Sequence, residues 1–330
     1  MSKEDQIVSS DIHVLIAYKK WEDAESLLND NPSEAFRTGS VFSSLPLTTA
    51  LMHDPPLWFV DSLIEANPSA VNSKNEYGMS AIRTAIRGQC STEVIKRLIR
   101  EDAEMVKCFG VSGKTCLHLA CMYYPNDIEL VKTLLDVWNE AAHWRDRDGW
   151  HPLHLACISG SSHEVVKALL DAYPNAAMMP DSAEHQLPLH LAVSHNAGMN
   201  VIEELYKAYP DAIKCHAKWD GMLPLHLACC QYNIKPETVR FLIEKYPEGA
   251  QGVTKHCSSL PLHFAARYGC SMEIIRMLAD AYPQGLNHKN VHNEKPLQCH
   301  FSQENKLPMN KQNIPAPPQV KDWRRMSYAA

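Results

Sequence analysis

The sequence lacks any uninterrupted apolar run of about 18 residues, the length that a helix needs to cross a bilayer. It also lacks a basic-then-apolar signal pattern at its N-terminus, which reads M-S-K-E-D-Q. A positive net charge is missing too, because 32 basic residues against 38 acidic ones give −6, and proteins that neutralise many phosphates are basic. We therefore expect a cytoplasmic protein, with a nuclear location as the alternative, and neither a membrane nor a nucleic acid as partner.

Motifs of common enzyme classes are absent as well. The chain contains no G-x-S-x-G, H-E-x-x-H or G-x-G-x-x-G. Its eleven cysteines are an odd number in a long chain without a signal pattern, which favours reduced thiols over disulfides. We predict that the protein is not an enzyme and uses no cofactor, metal or small-molecule substrate.

A hexamer recurs along the chain at regular spacing. It reads L-P-L-T-T-A, S-A-I-R-T-A, T-C-L-H-L-A, H-P-L-H-L-A, L-P-L-H-L-A twice and L-P-L-H-F-A. The second residue of the hexamer, in steps of 35 to 37 residues, is Pro46, Ala81, Cys116, Pro152, Pro188, Pro224 and Pro261. This regularity predicts a solenoid, because one short repeat cannot bury its apolar face unless neighbouring repeats stack on it.

Each repeat contains two predicted helices. The hexamer opens the first, since proline is favoured at the first helical position. The second carries two apolar pairs three residues apart, such as Val94 and Ile95 with Leu98 and Ile99, which form one helical face. A proline such as Pro174 then ends it. The predicted fold is therefore all-α: a helix-turn-helix solenoid of about eight to nine repeats of 35 to 37 residues.

The repeats predict one domain over residues 1–301. A shortened repeat at 10–32 and a partial repeat at 287–301 are expected to act as its ends. Residues 302–330 break the pattern, contain four prolines and carry a net charge of +3, which predicts a disordered basic tail. Its ending, V-K-D-W-R-R-M-S-Y-A-A, is a candidate docking motif with a possible phosphorylation site.

These repeats resemble those of the ankyrin family, whose T-P-L-H-x-A motif and turn glycine are matched over about residues 10–300. The histidine slot of the motif holds His118, His154, His190, His226 and His263. The turn glycines, three residues before the hexamer's second residue, are Gly78, Gly113, Gly149 and Gly221. Thr48 and Arg83 depart from the pattern by replacing the histidine. The resemblance implies an adaptor or scaffold that binds a protein partner through a concave groove.

Two motifs have a second possible interpretation. The G-K-T at 113–115 is similar to the end of a phosphate-binding loop and makes nucleotide binding the alternative function, but Cys108 stands where that loop requires glycine. A histidine followed three residues later by cysteine, as in His118 with Cys121, has metal-ligand spacing. These pairs occur once per repeat rather than converging on one point, so a structural role is favoured.

In ankyrin arrays, partners contact the turn tips and the exposed side of the first helices. Aromatic residues, arginine and methionine at such exposed positions are typical of interface hot spots. The predicted partner-binding residues are Tyr77, Met79, Tyr123, Arg147, Trp150, His195, Trp219, Met222, Gln231, Arg267 and Tyr268.

Overall fold

A computed structural model describes residues 11–39, 43–74, 78–182, 184–217, 220–231 and 233–299. The chain divides into two compact halves, Met1–Arg147 and Asp148–Ala330. Within the described ranges all regular elements are helical, apart from isolated β-bridges at Lys74 with Ser80 and Phe109 with Thr115. The predicted all-α fold is thus confirmed, while the tail at 302–330 lies outside the described residues.

Short first helices alternate with longer second helices in both halves. The first half contains α1 (Ile12–Ala17), α2 (Trp21–Asp30), α3 (Pro46–Ala50), α4 (Leu57–Ala66), α5 (Ala81–Arg87), α6 (Thr92–Glu101), α7 (Cys116–Tyr123) and α8 (Ile128–Val137). The second half contains α9 (Pro152–Ser159), α10 (His163–Ala172), α11 (Pro188–Ser194), α12 (Met199–Ala208), α13 (Pro224–Cys229), α14 (Pro236–Lys245), α15 (Pro261–Arg267) and α16 (Met272–Ala281). No helix among the described residues is long and apolar enough to span a bilayer.

The apolar pairs of the second helices form the core, as their spacing predicts. In α6, Val94 and Ile95 are fully buried, and Leu98 is 1% exposed. The same face of α10 buries Val165 and Val166. Burial of each such side chain contributes roughly 1.5–3 kcal/mol, so the stacked pairs supply much of the stability.

A third helical element in each repeat was not predicted. The second helix does end before the proline, as at Ala172, but Pro174 then starts a 3₁₀ helix, Pro174–Met178. Tyr173 between them leaves the helical region, with φ −146°, and Trp138, which precedes Asn139 rather than a proline, does the same with φ −148°. Equivalent 3₁₀ helices among the described residues are Pro32–Phe36, Pro68–Val71, Ala103–Lys107, Asn139–His143, Pro210–Lys214, Pro247–Gln251 and Pro283–Asn287. The two-helix description of a repeat was therefore incomplete.

Charged residues of the second helices pair both within their own helix and with the neighbouring repeat. Lys96 bonds Glu93 of its own helix at 3.4 Å but also makes a shorter contact with Glu129 in α8. In the second half, the Arg240 guanidinium of α14 lies 2.8 Å from the Glu273 carboxylate of α16. The pattern of acidic and basic residues thus joins adjacent helices at an exposed surface, where solvent screening leaves each pair only a small contribution to stability.

Turn glycines connect the repeats at their tips. Gly113 has φ +76°, in the left-handed region that favours glycine, and an added Cβ would lie 3.2 Å from the Arg147 backbone nitrogen of the next turn. That same nitrogen donates a hydrogen bond to the Ser112 carbonyl oxygen at 3.0 Å. The glycine therefore permits both the turn and its contact with the neighbouring tip.

We expect Gly113→Ala to destabilise the chain more than Gly160→Ala. Both glycines have positive φ, at +76° and +69°, so each alanine should cost roughly 1–2 kcal/mol in backbone strain. Gly160 has open space around its Cβ position, whereas Gly113 faces Arg147. Urea unfolding followed by circular dichroism measures the difference, and equal losses would mean that the tip contact contributes nothing.

Candidate partner-binding surface

Backbone hydrogen bonds tie successive turn tips together within each half. Besides the bond from Arg147 to Ser112, the Lys255 nitrogen donates to the Asp220 carbonyl at 2.7 Å. The Val291 nitrogen donates to the Cys257 carbonyl at 3.1 Å. These bonds fix the tips that they join relative to one another, and rigid elements hold contact residues at little entropic cost.

The predicted site residues differ in how far they reach solvent. Arg147 is exposed on its tip. Those that are only partly exposed are Met79, Tyr123, Trp150, His195, Gln231, Arg267 and Tyr268. Met222 is 5% exposed, so its predicted exposure was wrong: it follows the turn at Gly221 and packs inward. Tyr77 and Trp219 lie outside the described residues.

Local contacts hold several of these side chains in place. The Arg87 guanidinium donates to the Met79 sulfur at 3.3 Å in the first half. In the second half, Arg267 lies 3.6 Å from the Glu294 carboxylate, and the His195 Nδ1 lies 2.9 Å from the Leu191 carbonyl oxygen. Burial lowers the pKa of His195. None of these contacts joins two of the predicted site residues.

An exposed aromatic pair in the first half was missed by the sequence analysis. The rings of Phe109 and Trp144 stack with centroids 5.3 Å apart and planes 26° apart, although the side chains are 54% and 37% exposed. The ring of Trp138 also packs against that of Trp144, with the two ring centroids 5.7 Å apart and the planes at 56°. Phe109 and Trp144 are 35 residues apart, one repeat length, so comparing equal slots of adjacent repeats would have revealed the stack.

Lys114 of the G-K-T is part of an ion pair between turns. Its ammonium lies 2.6 Å from the Asp146 carboxylate, and the two side chains are 12% and 0% exposed. The threonine of the same motif, Thr115, is the N-cap of α7 and accepts a hydrogen bond from the His118 backbone nitrogen at 3.3 Å. Lys114 therefore joins two neighbouring turns, and Thr115 starts the first helix of its repeat.

The histidines of the repeat motif bond at both ring nitrogens. The Leu187 backbone N–H donates to His190 Nδ1 at 3.1 Å, and α7, which retains the threonine, has the same kind of bond from Thr115 N–H to His118 Nδ1. His190 Nε2 lies 2.9 Å from the Cys215 carbonyl oxygen and donates to it in this tautomer. His226 makes the same two contacts. Neither nitrogen has a lone pair left for a metal ion.

Burial keeps these groups uncharged. It lowers the pKa of His190 and of His226 to about 4, so both rings are neutral at pH 7. It also raises the pKa of the Cys121 thiol, which follows the histidine slot, to about 12. Among the described residues, no group of three or more His, Cys, Asp and Glu side chains is arranged to hold a metal ion. The histidine–cysteine spacing is a packing pattern.

Comparison with known families adds to this geometry. The family model described as ankyrin repeats (3 copies) matches three overlapping stretches, residues 47–142, 123–214 and 189–290. Together they cover well over half of the chain.

The chain belongs to the ankyrin repeat family.

Solved structures agree with this fold. The chain is similar to the ankyrin repeat domain of Bcl-3, described as a unique member of the IkappaB protein family, at 22% identity and a TM-score of 0.51, over 68% of this chain and 95% of that one. It is also similar to the human ASB11 ankyrin repeat domain at 24% identity and a TM-score of 0.51, over 67% and 91%. No curated protein matches the sequence.

Two ankyrin repeats replace the histidine and still fill its slot with a hydrogen-bonding group. The Thr48 hydroxyl donates to the Leu45 carbonyl at 2.8 Å. Arg83 is 3% exposed and donates through Nη1 to the Lys114 carbonyl at 2.5 Å. Burial lowers the pKa of Arg83. Gly110 makes room for this guanidinium, since a Cβ there would lie 2.5 Å from Nη2.

Proposed function

We propose that this chain is a non-enzymatic adaptor whose first half binds a protein partner around the Phe109 and Trp144 stack. Ankyrin repeat domains are generally protein-interaction modules. The observation that carries the proposal is the pair of stacked aromatic rings left exposed on adjacent repeats. Large aromatic side chains in contact with each other supply much binding energy at low entropic cost, and they dominate interface hot spots.

The surroundings of the stack indicate what kind of surface it fits. Val111, on the same turn as Phe109, is 59% exposed and adds apolar area. Arg145 and Arg147 are exposed near Trp144. An apolar centre with a basic rim is complementary to a partner that presents an apolar side chain flanked by carboxylates. Such a partner would bind faster at low salt, because the rim charges steer its approach.

The remaining predicted residues are further candidate contacts. We propose Met79 and Tyr123 as further contacts in the first half, because both are partly exposed. In the second half, Arg267 and Tyr268 form a separate candidate contact group. We propose a cytoplasmic or nuclear location, where the eleven free cysteines would remain reduced.

We expect Phe109→Ala with Trp144→Ala to weaken partner binding by more than tenfold. Partners are first identified by crosslinking to the parent chain and mass spectrometry, and their Kd is then measured with purified proteins. Because both rings are largely exposed, the melting temperature should change little. Tyr18→Ala, which removes a 63% exposed ring elsewhere in the first half, is the matched control and should leave Kd unchanged.

The opposite result would relocate the site. If the double variant binds with the parent's Kd while Arg267→Ala with Tyr268→Ala abolishes binding, the contact surface lies in the second half. A large drop in melting temperature for the double variant would instead assign the stack a structural role.

A further inference from the structure

The last second helix, α16, has an apolar face that no described element covers. In α10, α12 and α14, the second residue of the first apolar pair is fully buried, as Val166, Ile202 and Val239 at 0% exposure. The equivalent residue in α16, Ile275, is only partly buried. The helices α10 and α12 pack together, as do α14 and α16, so stacking explains the burial in the earlier repeats.

The uncovered surface extends beyond Ile275. Met272 at the start of α16 is 62% exposed, and Leu286 in the following 3₁₀ helix is 37% exposed. The chain does continue into a ninth repeat, where the 3₁₀ helix Pro296–Gln298 packs on α15. Within the described residues, this last repeat thus packs on the last first helix, α15, and leaves the outer face of the last second helix, α16, uncovered.

A terminal element that closes a solenoid needs one apolar face and a polar outer face. The end of this chain has that pattern. Val320, Trp323 and Met326 recur every three residues, which places them on one side of a helix. Lys321, together with the arginines at 324 and 325, occupies other positions. The earlier second helices carry two apolar pairs instead, as expected of helices covered on both sides.

Length and charge also fit this segment to the α16 face. Twenty residues, 300–319, separate the last described residue from Val320, and they can span up to about 60 Å. Neighbouring packed helices are only about 10 Å apart. Four prolines in this stretch, from Pro308 to Pro318, make it a poor second helix and suit it as a linker. Glu273 and Asp280 of α16 are exposed and opposite in sign to the basic segment; Glu273 also pairs with Arg240, and α16 carries one exposed basic residue, Arg276.

We propose that residues 320–330 dock on the face of α16 formed by Met272 and Ile275 and close the C-terminal end of the solenoid. Val320, Trp323 and Met326 lie against this face, and the basic side chains remain in solvent near the acidic residues of α16. The docking does not depend on the partner surface of the first half.

Hydrogen–deuterium exchange in the full-length chain tests the docking. We expect Trp323→Ala with Met326→Ala to speed amide exchange in α16 by about tenfold, because a covering element is lost. Exchange in α10 should not change. Leu307→Ala with Met309→Ala removes two apolar side chains from the linker of the same tail and is the matched control, expected to match the parent.

A synthetic peptide of residues 318–330, added in excess to the Trp323→Ala, Met326→Ala variant, should restore slow exchange in α16. Equal exchange rates in the parent and this variant would overturn the proposal. A second outcome would also overturn it. If a dimer seen by light scattering dissociates on dilution, and slow exchange in α16 of the parent is lost at the same time, then a second copy of the chain covers the face.

Discussion

Between pH 6.5 and pH 4, the folded chain should lose several kcal/mol of stability as its buried histidines are forced to take up protons. His190 and His226 have folded pKa values of about 4, compared with 6.5 in the unfolded chain. The unfolded state therefore binds protons first, so the stabilisation is complete above pH 6.5 and is lost as the pH falls toward 4. Each ring contributes on the order of 3 kcal/mol over this window.

Urea unfolding at pH 7.5, 6.0, 5.0 and 4.5 measures this loss. His190→Gln should flatten the pH dependence of the free energy of unfolding, because glutamine does not titrate. It should also lower that free energy at pH 7.5, because the buried, hydrogen-bonded imidazole is lost. His292→Gln, a change at an exposed histidine, is the control and should follow the parent at every pH. If His190→Gln with His226→Gln keeps the parent's slope, these rings are not the acid-sensitive groups.

Lys114→Ala should destabilise the chain by up to about 3–5 kcal/mol, because it removes the ammonium that neutralises the buried Asp146 carboxylate. The Asp146 carboxylate is fully buried, and the Lys114 ammonium lies 2.6 Å away. Adding Asp146→Asn should recover part of the loss, since the neutral amide is cheaper to bury. Denaturant unfolding of the two single variants and the double variant gives the coupling energy between the two side chains.

The same variant separates the structural role of Lys114 from nucleotide binding. Calorimetric titration with ATP and Mg²⁺ is carried out on the parent and on Lys114→Ala. Binding that disappears in Lys114→Ala while the unfolding midpoint stays unchanged would contradict the ion-pair role and restore the alternative function.

The fold was predictable because stacking constrains each repeat in the same way. In each repeat a histidine ring forms hydrogen bonds at the start of the first α-helix, and the apolar pairs bury one face of the second. The spacing of these residues therefore identifies the two α-helices of each repeat. The 3₁₀ helices were missed because a proline such as Pro174 signals the end of one helix as clearly as the start of another. Local sequence does not distinguish the two meanings.

The candidate site was less predictable, for a physical reason. Exposure at a turn depends on how the next turn packs, and so Met222 is buried while Arg147 is exposed. The Phe109 and Trp144 stack requires two residues one repeat apart to meet. Ion pairs such as Arg240 with Glu273 also cross between repeats. Patterns within one helix cannot reveal contacts whose partners lie in the next repeat.

The ring of each motif histidine also has a bearing on how the chain folds as it is made. His154 and His190 each bond a carbonyl oxygen 25 residues further along, at the end of the same repeat. Closing so short a loop costs little entropy, and proteins rich in local contacts fold fast. During synthesis, each histidine can therefore form its bond once its own repeat and a neighbouring repeat that stacks on it have left the ribosome, before the distant end of the chain exists.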